Sequence, residues 1–137
     1  DLKLYNRETS WNKKYGMLFI DNPVGAGFSY TNADSGYCTN SRTCVADNLV
    51  SLIEQFYTMF PELLANQLWI TGESYGGHYV PAFGAAVHRH NEQVKASGGR
   101  KGRAGVKTSV LPLAGVAVGD GWVDPVVQMG GYPDLFY

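Results

Sequence analysis

Apolar and polar positions along this chain fall into blocks rather than alternating singly. Gly16 to Asp21, "GMLFID", is a short apolar run closed by the turn residues "NPVGAG", which predicts a buried strand. After a polar stretch, "VADNLVSLIEQFYTMF" sets Val45, Leu49, Leu52, Ile53, Phe56 and Phe60 at helical spacing, so these side chains define the expected inward face of a helix that Pro61 ends. A second apolar run, Gln67 to Thr71, leads into a glycine-rich turn, and a second helical pattern follows from about Tyr75 to Lys95. "PLAGVAVGD", Pro112 to Asp120, gives a third buried strand with turn residues behind it. Strand, helix, strand, helix, strand with continuous apolar runs predicts an α/β fold whose parallel sheet is covered on both faces. Crossovers of one hand bring the strand ends to a common edge, and in open α/β sheets the carboxyl edge is where ligands bind.

Composition narrows the function classes without choosing among them. The chain has 137 residues, 45% hydrophobic and 17% charged, with a formal net charge of -1, which is one domain's worth of core and argues against a disordered tail or a nucleic-acid binder acting by bulk charge. No apolar run approaches the roughly 20 residues that span a bilayer, and the opening does not resemble a signal peptide. The chain starts "DLKLYNRETSW" without methionine, so the expectation is a segment of something larger, in which a missing targeting signal carries no weight. Between Arg89 and Lys107 lie six of the eleven lysines and arginines with one acid, Glu92. That stretch is rich in glycine and lacks interleaved aromatics, which favours a solvated loop over an anion-binding patch.

Cys38 and Cys44 stand six apart in "GYCTNSRTC". Two sulfurs without neighbouring histidines do not supply the four ligands of a structural zinc site, so no metal is expected. A local disulfide is open to them if the chain turns back on itself in an oxidising compartment, and two free thiols are the alternative. No Asn-x-Ser/Thr acceptor occurs, Asn40-Ser41 being followed by Arg42, so glycosylation gives no independent sign of compartment.

Candidate chemistry concentrates in "ITGESYGGHY", Ile70 to Tyr79. Gly72-Glu73-Ser74-Tyr75-Gly76 is Gly-x-Ser-x-Gly at a predicted strand-to-helix junction, the setting of a nucleophile elbow. Ser74 then occupies a strained turn; Gly72 and Gly76 keep the flanking positions small, and Gly77 extends that freedom. The turn lifts the serine hydroxyl above the sheet and aims the N-terminus of the next helix at it. The Tyr75 backbone N–H becomes a donor of the oxyanion hole, aided by the helix dipole.

"GESYGGHYVP" resembles the active-site segment of the serine carboxypeptidases, a family with lysosomal, vacuolar and secreted members. "SWNKKYGMLFIDNPVGAGFSY" from Ser10 to Tyr30, "FPELLANQLWITGES" from Phe60 to Ser74, and "LAGVAVGDGWVDP" from Leu113 to Pro125 resemble other stretches of that family in the same order. "GDG" at 119–121 departs from the more frequent Gly-Asn-Gly, and "SGGRKGRAGVKTSV", Ser97 to Val110, looks like a lengthened loop. The resemblance implies a partial α/β-hydrolase fold, residues 1–137 being the central part of one such domain without its N-terminal and C-terminal parts. It implies no cofactor, a peptide or protein substrate with a free C-terminus, no nucleic acid, no membrane, and a vacuolar, lysosomal or secreted location; oligomeric state is not legible. Ser74 would attack the last peptide bond and form an acyl-enzyme that water hydrolyses. Glu73 would recognise the substrate's C-terminal carboxylate. A carboxyl in a low-dielectric pocket near another negative group stays protonated in mild acid and donates a hydrogen bond, so activity should fall as pH rises. A family acyltransferase, which hands the acyl group to an alcohol, and a non-catalytic binding or stabilising protein on the same fold are the alternatives.

The histidines do not complete a triad. His78 follows Ser74 by four residues on the same helix, whereas the base must approach from a separate loop with an acid behind it, so it reads as a structural, hydrogen-bonded side chain. His88 and His90 read as surface residues near the helix end. In α/β-hydrolases the acid and then the histidine follow the serine on later strands. Here Asp120 and Asp124 come after the very next strand, too early for the family's acid, and no histidine follows His90. The family's upstream Trp-Asn-Gly-Gly-Pro-Gly segment, source of the second oxyanion donor, is also absent, so this chain alone is expected to hydrolyse nothing. "GAGFSY", Gly25 to Tyr30, lacks the third glycine of a dinucleotide loop and reads as a turn beside the active site.

Overall fold

Helix α1, Ala46–Met59, forms where the first helical pattern predicts it in the computed structural model, which describes residues 2–98 and 109–136. A wide-turned helical segment, Ser41–Val45, leads into it, with the Asn40 side chain accepting from the Arg42 N–H at 3.0 Å. Pro61 stops the helix as expected, and a short 3₁₀ segment, Pro61–Ala65, follows. The face turned inward differs from the expected one. Ala46, Leu49, Val50, Ile53 and Tyr57 are buried, while Leu52 and Phe60 are 36% and 43% exposed. The apolar stripe is wide enough that spacing alone does not fix its centre, and packing against the next helix selects the side carrying Val50 and Tyr57.

Strand β1, Leu68–Glu73, and strand β2, Leu113–Gly119, pair in parallel, and helix α2, Gly76–Ala96, connects them. The register pairs Ile70 with Val116 and Glu73 with Gly119, so the two strands end level at their carboxyl edge. α2 packs on the sheet and on α1: Val80, Phe83, Ala86 and Val87 join Ile70, Leu111 and the α1 side chains in one buried cluster. Truncating a buried member such as Ile53 or Leu111 to alanine should cost about 2–4 kcal/mol. Asn91 closes the far end, its amide donating to the Leu111 carbonyl and accepting the Leu111 N–H, both at 2.8 Å, as a neighbouring strand would. Pro81 lies inside α2 and supplies no N–H for the Gly77 carbonyl one turn earlier.

Two expectations about the sheet are corrected. Gly16–Asp21 is not a buried strand: among the described residues nothing pairs with it, and Leu18 and Phe19 are 45% and 78% exposed. An extended run becomes a strand only when a neighbour takes its N–H and C=O groups, and apolar content does not supply that neighbour. Ile20 does pack against the core cluster. The sheet is likewise covered on one face among the described residues: Ile70 and its partner Val116 turn toward α2, whereas Trp69, Thr71 and Ala117 of the other face are exposed. Most of the loop expected from Ser97 to Val110, and with it much of the basic stretch, lies outside the described residues.

Past β2 the chain turns into two short helices, α3, Pro125–Gly130, and α4, Tyr132–Phe136. Asp124 caps α3, its carboxylate accepting the N–H groups of Val126 and Val127, with Pro125 in the first turn.

Candidate active site

Ser74 and Asp120 are the residues immediately beyond the level ends of β1 and β2, and both have left-handed backbone, with φ of 56° and 43°. Elsewhere among the described residues positive φ is confined to glycines. A β-carbon in this region costs on the order of 1–2 kcal/mol, and Asp, like Asn, tolerates it better than most. That cost is held in place by the backbone around Ser74. Its N–H donates to the Gly119 carbonyl at 3.0 Å, and its carbonyl accepts from the Gly77 N–H at 2.9 Å and the Trp122 N–H at 2.8 Å. With both backbone groups fixed, the hydroxyl is carried away from the sheet into an open cleft of about 610 Å³ lined by Ser74, Tyr75, Asp120, Trp122, Gln128 and Tyr132.

The glycines divide their work differently from the sequence expectation. A Cβ on Gly72 would meet Val80 Cγ2 at 2.7 Å and the Gly76 Cα at 3.3 Å, so the position two before the serine must be bare. Gly76 has room, a Cβ there reaching Val80 Cγ2 at 3.9 Å. Gly77 is the tight one: its Cβ would lie 2.6–2.8 Å from backbone atoms of Trp122. Gly77 therefore serves close approach of the turn after β2 rather than added freedom.

Tyr75 stands at the N-terminus of α2 with φ -62°, and its N–H has no hydrogen-bond partner among the described residues, leaving it free to meet a negative oxygen. Its ring is half exposed and meets His78 at a tilt and Tyr79 edge to face, with centroids 4.8 and 5.1 Å apart. Tyr79 feels both burial and the neighbouring Tyr75, in that order, and its phenol is pushed up from the usual range. His78 is thus held by a tilted ring contact, and among the described residues it lacks the side-chain hydrogen bond expected of it and does not line the cleft. The Ser74 hydroxyl has no side-chain partner among the described residues. Glu73, at the end of β1, is exposed and stands outside the set of residues lining the Ser74 cleft.

Other expected residues find different surroundings. His90 is not a surface residue: its Nε2 lies 3.2 Å from the Ser109 carbonyl and 3.8 Å from Glu54 Oε1, linking α2 to α1 and to the segment before β2. Cys38 and Cys44 are joined in a disulfide with Cα atoms 5.5 Å apart, and Asn48 donates to the Cys38 sulfur at 3.2 Å. "GAGFSY" folds into a closed loop in which the Asp21 carboxylate accepts the Phe28 N–H at 2.8 Å, and none of its residues lines the cleft. Among the described residues no three His, Cys, Asp or Glu side chains are grouped to hold a metal, and no helix is long and apolar enough to cross a membrane. Sequence reasoning missed Trp122, Gln128 and Tyr132. The Asp-Pro pair at 124–125 is a helix-start signal that would have placed α3, but nothing local announces that the turn before it holds the Ser74 backbone.

The family profile described as serine carboxypeptidase matches residues 1–137. The chain belongs to the serine carboxypeptidase family. It is 44% identical over 131 residues to the vitellogenic carboxypeptidase of Aedes aegypti, covering 96% of this chain and 24% of that protein. It is 43% identical over 131 residues to the venom serine carboxypeptidase of Apis mellifera, covering 96% and 25%, and 39% identical over 137 residues to the probable serine carboxypeptidase CPVL of Homo sapiens, covering 100% and 26%. The crystal structure of Kex1Δp, a prohormone-processing carboxypeptidase from Saccharomyces cerevisiae, superposes with a TM-score of 0.73 at 31% identity, over 96% of this chain and 26% of that one. The parallel pair with its flanking helices is accordingly part of an α/β-hydrolase fold. The chain spans about a quarter of the length of the carboxypeptidases it matches.

Proposed function

We propose that the protein acts as a serine-type carboxypeptidase, removing C-terminal residues from peptides and proteins through an acyl-enzyme on Ser74. The observation that carries this reading is the Ser74 backbone: left-handed, hydrogen-bonded at both N–H and C=O, and opening its hydroxyl to a cleft at the N-terminus of α2. Ser74 Oγ attacks the carbonyl carbon of the last peptide bond, its proton passing to a histidine base and then to the departing amine. The Tyr75 N–H stabilises the oxyanion, in a site where the helix dipole adds to it. Water then attacks the ester and releases the shortened peptide.

No histidine among the described residues meets Ser74, and the relatives are four times longer, so we assign the base and its acid to chain beyond these residues. We assign Glu73 to the substrate's terminal carboxylate. Glu73 follows β1 directly into the elbow, which supports this, although its exposed position leaves the low-dielectric pocket to be completed by other segments. The Cys38–Cys44 bridge supports a secreted, vacuolar or lysosomal location, where disulfides persist.

The test is the full-length gene product assayed against three substrates: a blocked dipeptide with a free C-terminus, its C-terminal amide, and an acyl-glucose donor with an alcohol acceptor. Hydrolysis of the free acid at least about tenfold faster than the amide supports a carboxypeptidase. Transfer from the acyl-glucose without peptide hydrolysis identifies an acyltransferase, and inertness toward all three a non-catalytic protein.

A further inference from the structure

Gln128 on α3 makes three hydrogen bonds with its side-chain amide, all to the turn that carries Trp122. Oε1 accepts from the Val123 N–H at 2.9 Å and the Asp124 N–H at 3.0 Å, and Nε2 donates to the Gly121 carbonyl at 2.8 Å. The orientation follows from chemistry: a flipped amide would set NH₂ against two N–H groups and oxygen against a carbonyl. These three backbone groups bracket Trp122, whose own N–H holds the Ser74 carbonyl at 2.8 Å. Helix α3 does not need Gln128 to start, because Asp124 already caps it. The glutamine's bonds serve the turn.

We infer that Gln128 is a positioning residue for the nucleophile, acting through Trp122 on the Ser74 backbone; this rests on the reading of Ser74 as nucleophile. Removing the amide leaves the Val123 and Asp124 N–H groups and the Gly121 carbonyl to water, and the turn loses its brace. Trp122 then drifts, the Ser74 carbonyl keeps the Gly77 N–H as its remaining partner, and the left-handed turn relaxes. The hydroxyl moves relative to the oxyanion donor, which lowers the rate of chemistry and leaves substrate affinity nearly intact.

The experiment is the rate of Ser74 phosphonylation by a fluorophosphonate in the full-length gene product, measured per folded molecule well below the unfolding temperature, beside peptide kinetics. In the labelling step the Ser74 oxygen forms the bond to phosphorus, fluoride leaves, and the hydroxyl proton passes to the base and then to solvent. Gln128→Leu should slow labelling by about ten- to hundredfold with a matching fall in kcat and KM within about threefold. Gln128→Glu keeps both accepted bonds but faces the Gly121 carbonyl with an acceptor, and should fall between. Gln128→Leu labelling at the wild-type rate, or a raised KM with unchanged kcat, overturns the inference. Should the leucine variant not fold, a folded Gln128→Glu variant at the wild-type rate overturns it equally. Ser74→Ala should not label. A labelled Ser74→Ala, or an unlabelled wild type, would instead remove the nucleophile reading and this inference with it.

Discussion

The Gly77 Cα lies so close to Trp122 that a Cβ on it would come 2.6 Å from the Trp122 carbonyl oxygen, closer than side-chain carbons come to backbone. The elbow and the turn after β2 are therefore one unit, and a methyl group between them must push them apart. Gly77→Ala should lower stability by about 1–3 kcal/mol and cut kcat by about a hundredfold. Gly76→Ala, whose Cβ meets Val80 Cγ2 at an ordinary 3.9 Å, should stay within about 1 kcal/mol of wild type. Chemical denaturation and steady-state kinetics of the pair check this.

Ser74 sits at φ 56°, where glycine is at ease and a side chain is not. Ser74→Gly and Ser74→Ala should both abolish activity, but the glycine variant should be more stable than the alanine variant by about 1 kcal/mol. Equal stability would mean that the turn carries no strain.

Asp120 occupies the matching position after β2, at φ 43°. Asp120→Asn should be close to neutral in stability, whereas Asp120→Val should cost about 2 kcal/mol, because a β-branched residue fits this backbone worst. Thermal unfolding of the two variants measures the difference.

Cys38 and Cys44 enclose a small loop, for which a bridge should contribute about 2 kcal/mol. Thiol titration under denaturing conditions should find neither cysteine reactive in the unreduced protein. Two reactive thiols would contradict the bridge.

Tyr57 offers a pH test of the α1 packing. Burial pushes its phenol above the ordinary value of 10.0, since the core disfavours the anion. A folded value above the unfolded one means that the neutral phenol's contribution is complete below pH 10.0 and is lost as pH rises through the folded value. Wild type should therefore lose stability relative to Tyr57→Phe above that pH and track it below. Parallel curves across the alkaline range would show that the phenol is not desolvated.

Much of this fold was legible because its signals are local. Pro61 stops α1, and Gly72 to Gly77 mark the junction of β1 and α2 within a residue or two. The failures depend on partners. "GMLFID" has the composition of a strand, but pairing is a property of the neighbour, and among the described residues there is none. The inward face of α1 was misplaced toward Leu52 and Phe60 because apolar residues occupy more than half the helix circumference, so the choice falls to what α2 presents. In the site, Ser74 could be named from five residues. Trp122 and Gln128 could not, because one acts through its backbone and the other on backbone, and neither role requires a recognisable side-chain pattern.

Stepwise shortening of a peptide by the full-length gene product, followed by mass spectrometry, is the most direct measure of whether Ser74 carries the chemistry. Wild type should release residues one at a time from a free C-terminus. Ser74→Ala should fall by about 10⁴-fold or more while remaining folded. A Ser74→Ala protein that shortens the peptide at a rate near wild type would contradict the assignment of Ser74 as nucleophile.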